Sequence, residues 1–134
     1  MGLLSGRRPA NLGYSEGKFK PCSWKPNCVS STAPADDARH HIAPLGFTGD
    51  AQAAWQRLTA IVKAAPRVNI VREGSDYLYA EFASKGLGFV DDVEFALDAG
   101  GKHIHVRSAS RLGVRDFGVN RARVEGIRSR FAAR

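Results

Sequence analysis

The sequence predicts a two-layer α+β domain: a four-stranded antiparallel meander carries two helices on one face, and an irregular arm over residues 1–49 crosses an edge or the open face. Three observations predict it. A helical apolar repeat starts at residue 50, four short extended segments with glycine-centred turns follow, and a second helical repeat closes the chain. Residues 50–134 therefore read α-β-β-β-β-α. With 134 residues and 43% apolar content, the chain suits a single core.

The arm comes first. Residues 1–49 hold all but one of the six prolines, are rich in Gly, Ser and Asn, and sustain neither a helical nor a strand period. Tyr14, Phe19, Trp24, Ile42, Leu45 and Phe47 are costly to leave in water, so the arm is expected to wrap the domain. Asp50 is a good N-cap for a helix whose stripe is Ala51, Ala54, Trp55, Leu58, Val62 and Ala65, and Pro66 ends it. Turn signals then fall at Glu73-Gly74-Ser75-Asp76, Lys85-Gly86-Leu87-Gly88 and Ala99-Gly100-Gly101-Lys102. From about Gly118, Asn120, Val124, Ile127 and Phe131 share one face of the closing helix.

Tight turns fix register. A reversal at Gly100-Gly101 pairs Leu97 with Ile104, Phe95 with Val106 and Val93 with Ser108 on the inner face, and sets Glu94 opposite Arg107 on the outer one. A reversal at Gly86-Leu87 pairs Leu78 with Phe95 and Ala80 with Val93, and sets Glu81 opposite Asp92. Like charges facing each other across strands destabilise, so Glu81 and Asp92 need a cation, a nearby arginine or a retained proton. The outer face, with Tyr77, Tyr79, His103 and His105 on it as well, is read as a solvated polar surface.

The formal charge of +7 is uneven: residues 1–30 carry +4, residues 73–98 carry −6 and residues 111–134 carry +5. A partner made only of phosphates would be repelled by the acidic middle, which argues against nucleic acid. No apolar run is long enough to span a bilayer, so an integral membrane protein is excluded, while peripheral association stays open. In residues 1–8 the apolar piece is too short for a secretory core and its charges follow it, and Gly6 stands where N-myristoylation wants Ser or Thr. A cytoplasmic location is expected. Cys22 and Cys28 could form a disulfide, but free, partly buried thiols are the expectation for such a location.

Other constellations are weaker. His103 and His105 on one strand face have metal-compatible spacing, with Glu94 or Asp92 as oxygen donors, but exposed strand histidines are the commoner case, and no metal or cofactor is expected. His40 and His41 point in different directions. Ser30, Ser31, Ser108 and Ser110 are hydroxyl nucleophile candidates without a nucleophile elbow or an assignable histidine. Gly86-Leu87-Gly88 is a turn and not a phosphate cradle.

The runs Gly88-Phe89-Val90-Asp91-Asp92-Val93-Glu94-Phe95, Val106-Arg107-Ser108-Ala109-Ser110-Arg111-Leu112-Gly113 and Asp116-Phe117-Gly118-Val119-Asn120-Arg121 closely resemble the bacterial and plastid family called domain of unknown function 1499. Pro26-Asn27-Cys28-Val29-Ser30-Ser31 and Ala80-Glu81-Phe82 belong to the same pattern, which runs from roughly residue 9 to the end. The resemblance implies no assigned biochemistry, and many members look exported or membrane-attached. Carried over by position, its motif residues are Cys22, Asn27, Cys28, Ser30, Ser31, Glu81, Asp91, Asp92, Glu94, Arg107, Ser108, Ser110, Arg111, Asp116, Asn120 and Arg121. Core packing alone does not explain so polar a motif, although Asp116 could cap the last helix and Asn120 could satisfy backbone amides.

Two functional classes compete. The leading expectation is a binding module whose arm and open sheet face form a polar groove for a small polar or charged ligand or a protein partner. Its candidate ligand-binding residues are Glu81, Asp92, Glu94, Arg107, Ser108, Ser110, Arg111, Asp116, Asn120 and Arg121. The alternative is an enzyme using Glu81 and Asp92 as an acid and base pair or as divalent-metal ligands.

Overall fold

In the computed structural model, which describes residues 6–133, the chain folds as α+β with a six-stranded antiparallel sheet, a separate two-stranded ribbon and two helices. The leader and lipidation readings rest in part on residues 1–5, which lie outside the described residues. The arm supplies β1 (Tyr14–Ser15), β2 (Lys18–Phe19), β3 (Cys28–Ser30) and β4 (Leu45–Gly46). After α1 (Ala51–Lys63) come β5 (Val68–Glu73), β6 (Tyr77–Ala83), β7 (Val90–Asp98) and β8 (His103–Ser110), and α2 (Val119–Ala132) closes the chain. Among the described residues no helix is long and apolar enough to cross a membrane.

The expected four-stranded sheet is thus corrected to six strands. The meander β5-β6-β7-β8 is present, but β3 and β4 both pair with the far edge of β8, Cys28 opposite Ala109 and Leu45 opposite Ile104. Without them β8 would present a row of unpaired backbone groups. The register across both long hairpins matches the expectation: Leu97 faces Ile104, Glu94 faces Arg107, Leu78 faces Phe95 and Glu81 faces Asp92.

Both helices cover the apolar face. Asp50 caps α1 by accepting the Ala53 amide at 2.9 Å, and Ala54, Trp55, Leu58 and Val62 pack with Leu78, Ala80, Val93, Phe95, Ile104 and Val106. From α2, Val124, Ile127 and Phe131 join the same core. Gly118, at φ +81°, starts α2 in the left-handed region and offers no side chain; Asp116 serves as the cap, accepting the amides of Gly118 and Asn120.

The expectation of free thiols is also corrected, since Cys22 and Cys28 form a disulfide with Cα atoms 5.7 Å apart. Cys28 is fixed in β3, and the six-residue separation lets the proline-bounded loop bring Cys22 back to it.

Candidate functional site

The second face of the sheet carries the polar residues, because strand alternation sends Tyr77, Tyr79 and Glu81 of β6, Asp92 and Glu94 of β7, and Arg107 of β8 to the side away from the helices. This face is not solvated as expected. Glu81 and Asp92 are each 2% exposed, Glu94 is 0% and Arg107 6%. The arm is the cover: Arg8 reaches Glu81, the Gly13 amide donates to Glu94 Oε1 at 2.9 Å, and Arg107 Nε donates to the Lys20 carbonyl at 2.9 Å. A sequence pattern marks this face as polar; only the arm makes it interior.

Burying carboxylates side by side demands cations, and arginines supply them. Arg111 Nη2 donates to Glu81 Oε2 at 2.7 Å and to Asp92 Oδ1 at 2.5 Å, while its Nε donates to Asp92 Oδ2 at 3.1 Å. Arg8 donates to both oxygens of Glu81, Asn69 adds a bond of 2.9 Å, and the Tyr79 hydroxyl donates to Asp92 at 2.6 Å. The hydrogen bonds from Arg8, then those from Arg111 and Asn69, hold the Glu81 carboxyl down at about 2 against the upward push of burial. Burial first, then the bond to Asp92, pushes the Tyr79 phenol up, so it stays a donor. A carboxyl this acidic holds no proton to give near neutral pH and is a poor base.

The neighbouring pair is less complete. Glu94 Oε1 accepts from the Tyr77 hydroxyl at 2.6 Å and from Gly13, but Oε2, fully buried, has no hydrogen-bond partner among the described residues. Arg107 Nη1 approaches that oxygen only to 3.8 Å. Burial raises the Glu94 carboxyl above its ordinary value and lowers the Arg107 guanidinium below its own. Beside Arg107 opens a cleft of about 350 Å³ between arm and sheet, lined by Lys20, Lys25, Asp92, Arg107, Ser110 and Arg111 among others. A larger cleft of about 710 Å³ lies by the β1–β2 ribbon, but of the buried ionic strip it touches only Tyr77, so the smaller one is the better candidate site.

The ten residues expected to line one groove divide between the two sides of the sheet. Glu81, Asp92, Glu94, Arg107 and Arg111 gather on the arm side. Ser108 faces the helices and Asn120 of α2 faces back at the sheet, where Asn120, 0% exposed, accepts from Ser108 Oγ at 2.6 Å and donates to the Asn27 carbonyl, Ser110 Oγ and Asp116. Asp116 caps α2 and Arg121 donates to the His41 carbonyl at 2.9 Å, so these groups tie β3, the arm and α2 together. His103 and His105 stand beside Asp98, and neither Asp92 nor Glu94, the oxygen donors weighed for them, joins that cluster. Ser31, one of the hydroxyl candidates, shares a hydrogen bond of 2.9 Å with His105 Nδ1, yet it is buried and also accepts the Val106 amide.

Arg8, Gly13, Lys20 and Asn69 were not foreseen as parts of the site. Nothing near Arg8 or Lys20 signals a partner more than seventy residues away. Asn69 reaches Glu81 because the β5–β6 register shifts between Ile70 and Arg72, an irregularity that no turn motif announces.

Among curated proteins and among solved structures, none matches the chain. The family described as Protein of unknown function (DUF1499) matches residues 18–131, a span that takes in β2 to β8, the Cys22–Cys28 bridge, most of the covering arm and nearly all of α2, and the chain belongs to that family.

Proposed function

We propose that the protein is a non-catalytic binding module that takes a small anionic ligand, a carboxylate or phosphate compound, in the cleft beside Arg107. One observation carries this reading: the Arg107 guanidinium, 6% exposed, spends its Nε on the Lys20 carbonyl and, among the described residues, meets its nearest carboxylate oxygen only at 3.8 Å. A buried guanidinium is costly unless its planar donors are matched, and a carboxylate or phosphate matches them two at a time. Lys20 and Lys25 add positive charge to the same cleft, and the one carboxylate lining it among the described residues, Asp92, is already held by Arg111 and Tyr79. The competing acid–base reading needs a proton to move at Glu81 or Asp92, and Arg111 bridging the pair weighs against it. The Cys22–Cys28 bond favours an oxidising compartment, and we place the module there and not in the cytoplasm.

The test uses inorganic phosphate and citrate as probes, followed by amide NMR shifts. Saturable shifts at residues 20–25 and 107–111, abolished in Arg107→Gln and weakened several-fold in Lys25→Ala, are expected. Lys25 is partly exposed, so its variant keeps the fold even if the arginine variant does not. Shifts that never saturate, or that persist undiminished in Lys25→Ala, would overturn the reading.

A further inference from the structure

We infer that the tip of the β7–β8 hairpin is a binding site for one divalent first-row transition-metal ion of the zinc class, held by Asp98, His103 and His105. Asp98 ends β7 directly opposite His103, and His105 follows two residues along β8, so all three side chains leave the same face of the sheet. One carboxylate oxygen and one nitrogen from each ring lie within 4.8 Å of one another. A tetrahedral ion bonding at about 2.0–2.2 Å sets its ligands about 3.4 Å apart. The exposed His103 ring can turn to close that difference.

Two further features suit an ion. A Cβ at Gly101 would lie 2.6 Å from Asp98 Oδ2 and 3.2 Å from His103 Nδ1, so glycine there keeps clear the space between two ligands. The Gly101 amide meanwhile donates to Asp98 Oδ1 at 3.0 Å and leaves Oδ2 for the ion. His105 is steadied from behind: its Nδ1 shares the hydrogen bond with Ser31 Oγ, its ring stacks on Tyr14, and small Ala96 lies opposite. An outer hydrogen bond that orients the ring and leaves Nε2 available is how ligating imidazoles are held.

The donor set selects the ion. Two imidazoles and one carboxylate suit Zn²⁺, Co²⁺ or Ni²⁺, whereas Mg²⁺ and Ca²⁺ take oxygen sets. Three protein ligands leave the remaining position to water. None of the three lines the cleft beside Arg107, so this site stands or falls independently of the anion reading.

The experiment titrates tag-free, disulfide-oxidised protein with zinc chloride by calorimetry and with Co²⁺ by visible absorption; oxidation keeps Cys22 and Cys28 from competing. One equivalent should bind, His103→Ala and Asp98→Asn should each weaken binding at least about tenfold, and His41→Ala should leave it unchanged. His103 is exposed, so its variant stays folded and the comparison is clean. Absence of saturable one-to-one binding, equal affinity in His103→Ala, or Mg²⁺ competing as well as Zn²⁺ would each overturn the site.

Discussion

Replacing Arg111 by leucine strikes the point where two buried carboxylates share one guanidinium. In Arg111→Leu, Glu81 and Asp92 still face each other across β6 and β7, both 2% exposed, without the group that donates to both. Each factor of ten in proton affinity is worth about 1.4 kcal/mol, so holding Glu81 at about 2 instead of 4.5 corresponds to about 3 kcal/mol shared among its partners. Arg8 makes the largest single contribution to that low value, but half of its side chain is in water and solvent screens it. Arg111, 5% exposed, is enclosed and serves Asp92 as well. Removing one partner from a buried ion pair costs about 3–5 kcal/mol, a large share of the roughly 5–15 kcal/mol that holds a domain together. We expect a loss of about 3 kcal/mol at neutral pH. Urea unfolding reads it through Trp55, which is buried, whereas Trp24 is largely exposed and changes little.

The loss also has a pH signature. In the parent protein Glu81 has a depressed folded pKa, so its contribution is complete above pH 4.5 and fades as pH falls toward about 2. In Arg111→Leu the Glu81 carboxyl keeps Arg8 and Asn69 but faces a second carboxylate without the shared guanidinium, so it takes up a proton at higher pH than in the parent and acidification costs the variant less. The deficit should therefore shrink between pH 7 and pH 4.5. A loss below about 1 kcal/mol, or one that is the same at both pH values, would refute the buried-pair reasoning.

Two other outcomes follow from the structure. Asn120→Ala should cost about 2 kcal/mol in urea unfolding, because it leaves the buried Ser108 hydroxyl without its acceptor and takes one donor each from the Asn27 carbonyl and Ser110 Oγ; a loss under about 0.5 kcal/mol would contradict that role. Cys22→Ser with Cys28→Ser should cost about 2 kcal/mol, the loop entropy of a short bridge, and reductant added to the parent protein should reproduce it. An unchanged midpoint in both would show that the bridge does not constrain the arm.

Much of the architecture could be read before any coordinates. Glycine turns at 86–88 and 100–101, with alternation on either side, placed Glu81 opposite Asp92 and Glu94 opposite Arg107, and the same turn places Asp98 opposite His103. The two arm strands in the main sheet were not legible because two or three residues are too few to show a period. The covering of the polar face is not legible for a related reason. Alternation separates two faces but does not say what covers each, and the covering segment lies more than seventy residues away in sequence. Tyr77 and Tyr79 were the available hint, since phenols aimed at carboxylates are a common way to satisfy buried acids.

The central claim is that the acidic strip is an enclosed ionic layer sealed by the arm, and not a wet surface. Carboxyl NMR titration of Glu81 and Glu94 tests it most directly. The account predicts Glu81 titrating at about 2, under the hold of Arg8, Arg111 and Asn69, and Glu94 titrating above its ordinary value because burial outweighs Tyr77 and Arg107. Both groups titrating together near the ordinary glutamate value of about 4.3 would contradict it.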